Sequence, residues 1–425
     1  MTPTKLPGVL RGHVAFAVLT TLVAGHMVDD SFLQPPAGTS ATDHVVSGLL
    51  SLGALGVAVW RRQRARAGTA AVFALAVGVT GLVVGVEAVY CSTTVGPSGD
   101  DWTGLLAALA GLVLAAVGAA GLWTSRRTTG SLLRRWSRRL LRAVASVTVT
   151  FALVVPVGSA YLSTHVARAE VPVDQLGVSH EDVSLTTSDG LRLRGWYVPS
   201  RNGAAVLVFP GRKGTQAHAR MLARHGYGVL LLDRRGEGSS DGAAHAYGWD
   251  GQRDVHAAVA LLQQRPDVDP HRIGGIGLSV GGEMLLQAAA ENAGLAAVVS
   301  DGAGIRTWAE ARVAFHGGDL WFNAAPTAVT QAALMVFADS TPPPSLFDVV
   351  RSLAPRPVLL VMAPRSPNVE HVNRDYRRRI GASASRWEVP EADHVRALQA
   401  RPTEYERRVV DFFDAALRER GVERR

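Results

Sequence analysis

Five apolar runs fill the first 165 residues, at about 9–28, 44–60, 69–91, 103–123 and 143–163. Each approaches the roughly 20 residues that a membrane-crossing helix needs. Buried helices of soluble domains keep a polar face over such lengths, and these runs largely lack one. A cleaved leader would explain the first run and none of the later four. The expectation is an all-α membrane region over 1–165 with about five transmembrane helices, followed by a separate domain over 166–425.

Charge orients these helices. Arg61, Arg62, Arg64 and Arg66 follow the second run. Arg126, Arg127, Arg134, Arg135, Arg138, Arg139 and Arg142 separate the fourth from the fifth, with no acidic residue among them. The opposite loops hold Asp29, Asp30 and Asp43, then Asp100 and Asp101, without Lys or Arg. By the positive-inside rule the N-terminus is cytoplasmic, and five crossings put the second domain outside the cell, on a multi-pass protein of the cell membrane. Glu87, within the third run near its outer end, is either a functional carboxylate inside the membrane or close enough to the interface to reach water.

The same distribution explains the net charge of +8. Residues 1–165 hold 13 Lys or Arg against 6 Asp or Glu, whereas 166–425 hold 31 against 30. The basic pI therefore reports topology, and no nucleic-acid partner is expected. The lipid bilayer is the expected partner instead. Cys91 is the single cysteine, so no intrachain disulfide can form. No Cys/His group has metal-ligand spacing, and neither metal nor cofactor is expected.

Beyond residue 166 the pattern changes. The runs 204–209, 228–232, 273–278, 295–299 and 357–362 are short and apolar, and helix-forming stretches alternate with them. Such alternation predicts an α/β domain with a mostly parallel sheet covered on both faces. One junction is chemically pointed. Gly277-Leu278-Ser279-Val280-Gly281 lies where the run 273–278 meets the helical stretch 283–290. A serine on so tight a turn is strained, with its hydroxyl lifted clear of the backbone. The flanking glycines let strand and helix approach.

With Asp233-Arg234-Arg235-Gly236-Glu237-Gly238-Ser239-Ser240 after one strand and Val208-Phe209-Pro210-Gly211-Arg212 after another, the region Val183 to Leu417 resembles the alpha/beta-hydrolase superfamily. Its closest likeness there is to serine-aminopeptidase and lipase-like members. The resemblance implies Ser279 as nucleophile and His394, in the loop after Trp387-Glu388-Val389, as general base. The backbone N–H groups of Val280 and Arg212 would form the oxyanion hole, with Pro210 standing where a histidine is commoner. The acid is open. Ser366-Pro367 occupies the place where the family has aspartate-proline. Glu370 is favoured, Asp301 at the end of an earlier strand is the alternative, and Asp375 is a third and poorer choice. The segment 303–348 would form a small helical cap, with Trp308, Phe315, Trp321, Phe322 and Phe337 either lining an apolar pocket or packing the cap onto the sheet.

These readings predict a membrane-anchored serine hydrolase that cleaves an ester, thioester or amide of a small-molecule, lipid or peptide substrate through acyl-Ser279. A rival reading takes the domain as a catalytically silent binding module on a transporter or anchor, prompted by the missing aspartate at Ser366.

Overall fold

A computed structural model describes residues 8–35, 41–42, 44–94, 98–124, 136–137, 140–141, 144, 148, 150–165, 176–210, 212–243, 247–291, 294–364 and 370–417. Side chains of 8–11, 91, 94, 150–151, 212–213 and 318–325 lie outside the description. The chain forms two compact units, Met1–Ala167 with Ala332–Asp339, and Arg168–Gln331 with Ser340–Arg425.

In the first unit, α1 (Gly8–Val28), α2 (Val45–Arg64), α3 (Ala67–Thr94) and α4 (Asp101–Thr124) follow the first four apolar runs. Four helical segments among the described residues are long and apolar enough to cross a membrane: Gly12–Leu33, Val45–Arg64, Ala67–Tyr90 and Asp101–Thr124. The fifth run lies partly outside the described residues. Its C-terminal part forms a π-helical turn (Thr150–Val154) and α5 (Val155–Thr164). Exposed Trp60 and Trp123 lie near the C-terminal ends of α2 and α4, whereas exposed Tyr90 and Trp102 lie near the C-terminal end of α3 and the N-terminal end of α4. Such aromatic side chains at helix ends suit membrane–water interfaces.

Helices α3 and α4 meet backbone to backbone. A Cβ on Gly111 would strike the backbone of Gly78, Gly81 and Leu82, and a Cβ on Gly78 would strike that of Ala115 and Gly111. In a lipid environment, where apolar surface gains little from leaving the solvent, such close approach is what holds helices together.

The second unit is built on eight strands: β1 (Glu181–Thr186), β2 (Arg192–Val198), β3 (Ala205–Phe209), β4 (Gly228–Leu232), β5 (Ile273–Leu278), β6 (Ala297–Asp301), β7 (Val358–Met362) and β8 (Ala384–Glu388). They are ordered β1-β2-β4-β3-β5-β6-β7-β8, antiparallel at β1/β2 and β2/β4 and parallel elsewhere. The strands from β3 to β7 are buried along their length. The period-2 alternation of side chains divides them between two cores. Leu207, Phe209, Leu230 and Leu232 enter one, while Val206, Val208, Val229 and Leu231 enter the other.

The helices of this unit are α6 (Arg212–Arg224), α7 (Gln252–Gln263), α8 (Val280–Glu291), α9 (Trp308–Ala314), α10 (Gly317–Phe337), α11 (Leu346–Val349), α12 (Asn373–Ile380), α13 (Ala397–Ala400) and α14 (Pro402–Ala416). The expected cap, 303–348, contains α9, α10 and all but the last residue of α11. The last turns of α10 depart from that expectation, because Ala332–Asp339 cluster with the first unit. There Phe337 packs edge-on against Tyr161 at 5.5 Å, and Asp339 accepts hydrogen bonds from the Ser47 hydroxyl (2.7 Å) and backbone N–H (3.1 Å).

Candidate active site

Parallel strands deliver the loops at their carboxyl ends to one edge of the sheet, where open α/β folds place their ligands. Ser279, directly after β5, lies at that edge, as do Glu370 after β7 and His394 after β8.

Ser279 sits between β5 and α8 with φ +51°, in the left-handed region that side chains other than glycine avoid. Its N–H donates to the Asp301 carbonyl oxygen at 2.8 Å, which ties the turn to β6. The turn closes because position 277 has no side chain: a Cβ there would collide with the backbone of Gly281 and Gly282. Gly281 in turn abuts the backbone of Phe209 and Pro210 at the end of β3.

His394 Nε2 lies 2.9 Å from Ser279 Oγ, and its Nδ1 lies 2.6 Å from Glu370 Oε1. Gly302 (φ +76°) makes room for the ring, since a Cβ there would stand 3.2 Å from His394 Cε1. Glu370 is fully buried. Its second oxygen accepts the Ala363 N–H at 2.6 Å, so both carboxylate oxygens are engaged. The 3₁₀ turn that carries it, Glu370–Val372, is pinned by Asn373, whose Nδ2 donates to the carbonyl oxygens of Glu370 (2.8 Å) and Ala303 (2.6 Å).

Asp301 takes a different place from the one expected of a strand-end acid. Strand β6 runs two residues further than the apolar run implied and includes Asp301, paired in register with Leu278. Its carboxyl is buried and accepts the Tyr405 hydroxyl at 2.9 Å, and no hydrogen bond joins it to His394 among the described residues. Burial pushes its pKa up to about 7, the Tyr405 hydrogen bond opposes this, and the charge of Glu370 adds to it. Asp375 pairs instead with Arg378 on α12.

A carboxyl whose folded pKa is raised gives stability that is present below its unfolded pKa and lost as pH rises through about 7. Asp301→Asn keeps a neutral acceptor for Tyr405. The substitution should leave stability near pH 4 unchanged and raise it above pH 8, at an upper bound of about 4 kcal/mol. Thermal unfolding of both proteins across this pH range checks the sign. A variant less stable than wild type at pH 8.5 contradicts it.

Of the expected oxyanion donors, Val280 opens α8, and its N–H has no hydrogen-bond acceptor among the described residues. Arg212 opens α6 just past β3, and its side chain lies outside the description. A cavity of about 180 Å³ adjoins the serine, lined by Tyr247, Ser279, Val280, Glu283, Ile305 and His394 together with the backbone at Gly302 and Gly304. None of the cap aromatics with described side chains lines it. Tyr247 and Glu283 were not singled out by the sequence. Glu283 lies in the first turn of α8, with its N–H 3.3 Å from the Ser279 carbonyl oxygen.

An eight-stranded, mostly parallel sheet with this strand-to-helix serine turn is the alpha/beta-hydrolase fold, and the protein is a hydrolase of that class. Residues 177–397 match the X-Pro dipeptidyl-peptidase (S15) family, and the chain belongs to that family. Among curated proteins, an uncharacterised protein of Mycobacterium tuberculosis is 42% identical over 107 residues, 24% of this chain and 37% of the relative. A polyketide transferase of Stachybotrys chlorohalonatus is 37% identical over 131 residues, 29% of this chain and 44% of the relative. The matched stretches thus span less than half the length of these relatives. Among solved structures, an esterase of Pyrococcus furiosus aligns over 59% of this chain and 98% of its own, at 21% identity and a TM-score of 0.48.

Proposed function

We propose that the protein is a membrane-anchored serine hydrolase whose second unit works outside the cell through an acyl-Ser279 intermediate. The observation that carries this reading is the unbroken line of hydrogen bonds from Ser279 Oγ through His394 to the buried Glu370. The Glu370 carboxylate, 2.6 Å from His394 Nδ1, supports this reading over that of a silent binding module, whose ground was the missing aspartate at Ser366.

In the proposed reaction Ser279 Oγ attacks the substrate carbonyl carbon and passes its proton to His394 Nε2. The carbonyl electron pair moves onto oxygen, where the Val280 and Arg212 N–H groups stabilise the charge. Collapse of this intermediate expels the leaving group, which takes the proton from His394. Water then attacks acyl-Ser279 and gives its proton to His394. Breaking the ester bond to Ser279 returns that proton to Oγ and releases the acid. Glu370 holds the Nδ1 proton and stabilises the transient imidazolium.

The test is hydrolysis of p-nitrophenyl butyrate by the full-length protein in detergent. Turnover well above the buffer rate supports the reading, and the buffer rate alone contradicts it.

The proposed orientation has its own test. Five crossings put the two chain ends on opposite sides of the membrane. External protease applied to intact cells should therefore remove a C-terminal tag and spare an N-terminal one. Two tags with the same fate would contradict an odd number of crossings.

A further inference from the structure

The second half of α10 is built unlike a helix that faces water. From Pro326 to Ala338 the sequence carries no charged residue. Ala328, Ala332 and Met335 are exposed at positions i, i+4 and i+7, which form one stripe of the helix surface. On a surface helix that side holds the charged and polar residues. Two of the three polar side chains here are engaged within the protein: the Thr330 hydroxyl donates to the Pro326 carbonyl oxygen (2.9 Å), and Gln331 Oε1 accepts the Trp308 N–H (2.7 Å). Among the described residues beyond 165, Val313 and Met335 alone are large hydrophobic side chains left exposed, and Met335 is the more exposed at 46%.

The last turns of α10 belong to the first unit, and two contacts fix their place in it. Phe337 meets Tyr161 on α5, near the end of the fifth apolar run. Asp339 accepts the Ser47 hydroxyl and N–H and lies 3.3 Å from His44 Nδ1. A carboxylate is unfavourable at the C-terminal end of its own helix and favourable at the N-terminal end of another. Asp339 serves α2 in this way, since His44, at the N-cap of α2, makes no side-chain capping bond. In the proposed orientation the start of α2 and the end of the fifth run both lie at the outer face of the membrane, the end where Tyr90 and Trp102 stand. Helix α10 thus finishes at the depth where the apolar layer begins.

We propose that the second half of α10 lies in the outer leaflet, with Ala328, Ala332 and Met335 against the acyl chains of membrane lipids. This inference rests on the membrane-anchored reading above and is independent of the acyl-serine chemistry. A helix of this kind lies in the plane of the interface and sinks its apolar face about 5–10 Å into the boundary between headgroups and acyl chains. The membrane then holds one end of the cap segment. The other end borders the site, because Gly304 and Ile305 line the cavity beside Ser279.

The experiment places the full-length protein, carrying Cys91→Ser, in phosphatidylcholine nanodiscs with one new cysteine for a fluorescent label. The sites are Met335→Cys, Leu112→Cys at the centre of α4, and Arg407→Cys on the exposed face of α14. Nitroxide-bearing lipids should quench the label at 335, more strongly with the nitroxide near the headgroup than near the chain end, and the order should reverse at 112. Iodide in the buffer should quench the label at 407 and spare the one at 335. Iodide quenching at 335 equal to that at 407 puts the stripe in water and overturns the inference. Shielding at 335 from both quenchers means that protein covers the stripe, such as a second copy of the chain, and also overturns it. Lipid quenching at 112 without any at 335 rejects the inference and leaves the membrane anchor standing. Absence of lipid quenching at 112 rejects the anchor, and the inference with it. A second measurement needs no variant. A phospholipid with a diazirine on its acyl chain, activated by light in nanodiscs holding the unaltered protein, should leave adducts within 326–338 as well as on α4. Adducts on α4 with none in that stretch overturn the inference.

Discussion

Ser279→Ala is expected to lower kcat on an activated ester by about five to six orders of magnitude, with the fold intact. The reason lies in how little else is available. Ser279 Oγ is the only hydroxyl bonded to His394 among the described residues, so no neighbouring oxygen can replace it. The turn itself does not depend on the hydroxyl. It is held by the Ser279 N–H to the Asp301 carbonyl and by the glycine contacts at 277 and 281, all of which alanine retains. The substitution therefore separates chemistry from folding. An unchanged unfolding temperature with kcat near the buffer rate is the expected pair of results, and turnover within tenfold of wild type would contradict it.

Glu370→Gln is expected to cost about four orders of magnitude in kcat, through the imidazole tautomer. The carboxylate uses both oxygens, one for the Ala363 N–H and one for His394 Nδ1. Glutamine has one oxygen. If that oxygen keeps the Ala363 bond, the amide NH₂ faces Nδ1 and forces it to accept. The ring proton then sits on Nε2 and points at Ser279, where a base is needed. Asp301→Asn is the matched control: Asp301 is engaged by Tyr405, so its loss should cost less than about tenfold. Measuring kcat for both variants on one ester decides between the two carboxylates, and the opposite ranking would assign the acid to Asp301.

The ambiguity between these acids shows where the sequence stops being readable. Both follow strands that end at the same sheet edge, and residue order alone cannot say which side chain turns toward the histidine. What separates them is local. Strand β6 runs on through Asp301, which pairs with Leu278 and is met by Tyr405, from the far end of the chain. Glu370 rides on a 3₁₀ turn held by Asn373, whose second bond, to the Ala303 carbonyl 70 residues away, is tertiary and leaves no periodic trace.

By contrast, the serine turn was legible because its requirements are short-range, a strand, a helix and glycines where a Cβ would collide. The strands were legible because burial on both faces demands continuous apolar runs. The first four membrane-length helices were legible for a similar reason, since length and apolarity are summed along the chain. The division of α10 was not. Ala332–Asp339 joins the first unit through Phe337 on Tyr161 and Asp339 on Ser47, pairings between residues some 170 to 290 positions apart. The small residues of α3 and α4 were likewise read only as membrane composition, although Gly78 and Gly111 set how closely those helices pack.

The central claim is that one hydroxyl, at position 279, carries the acyl group. Its most direct test is to treat the full-length protein with a fluorophosphonate, digest it and locate the added mass. The account predicts a single adduct on the peptide that contains Ser279, none in Ser279→Ala, and strongly reduced labelling when His394 is replaced by alanine. An adduct that persists in Ser279→Ala, or that maps to another residue in wild type, would contradict it.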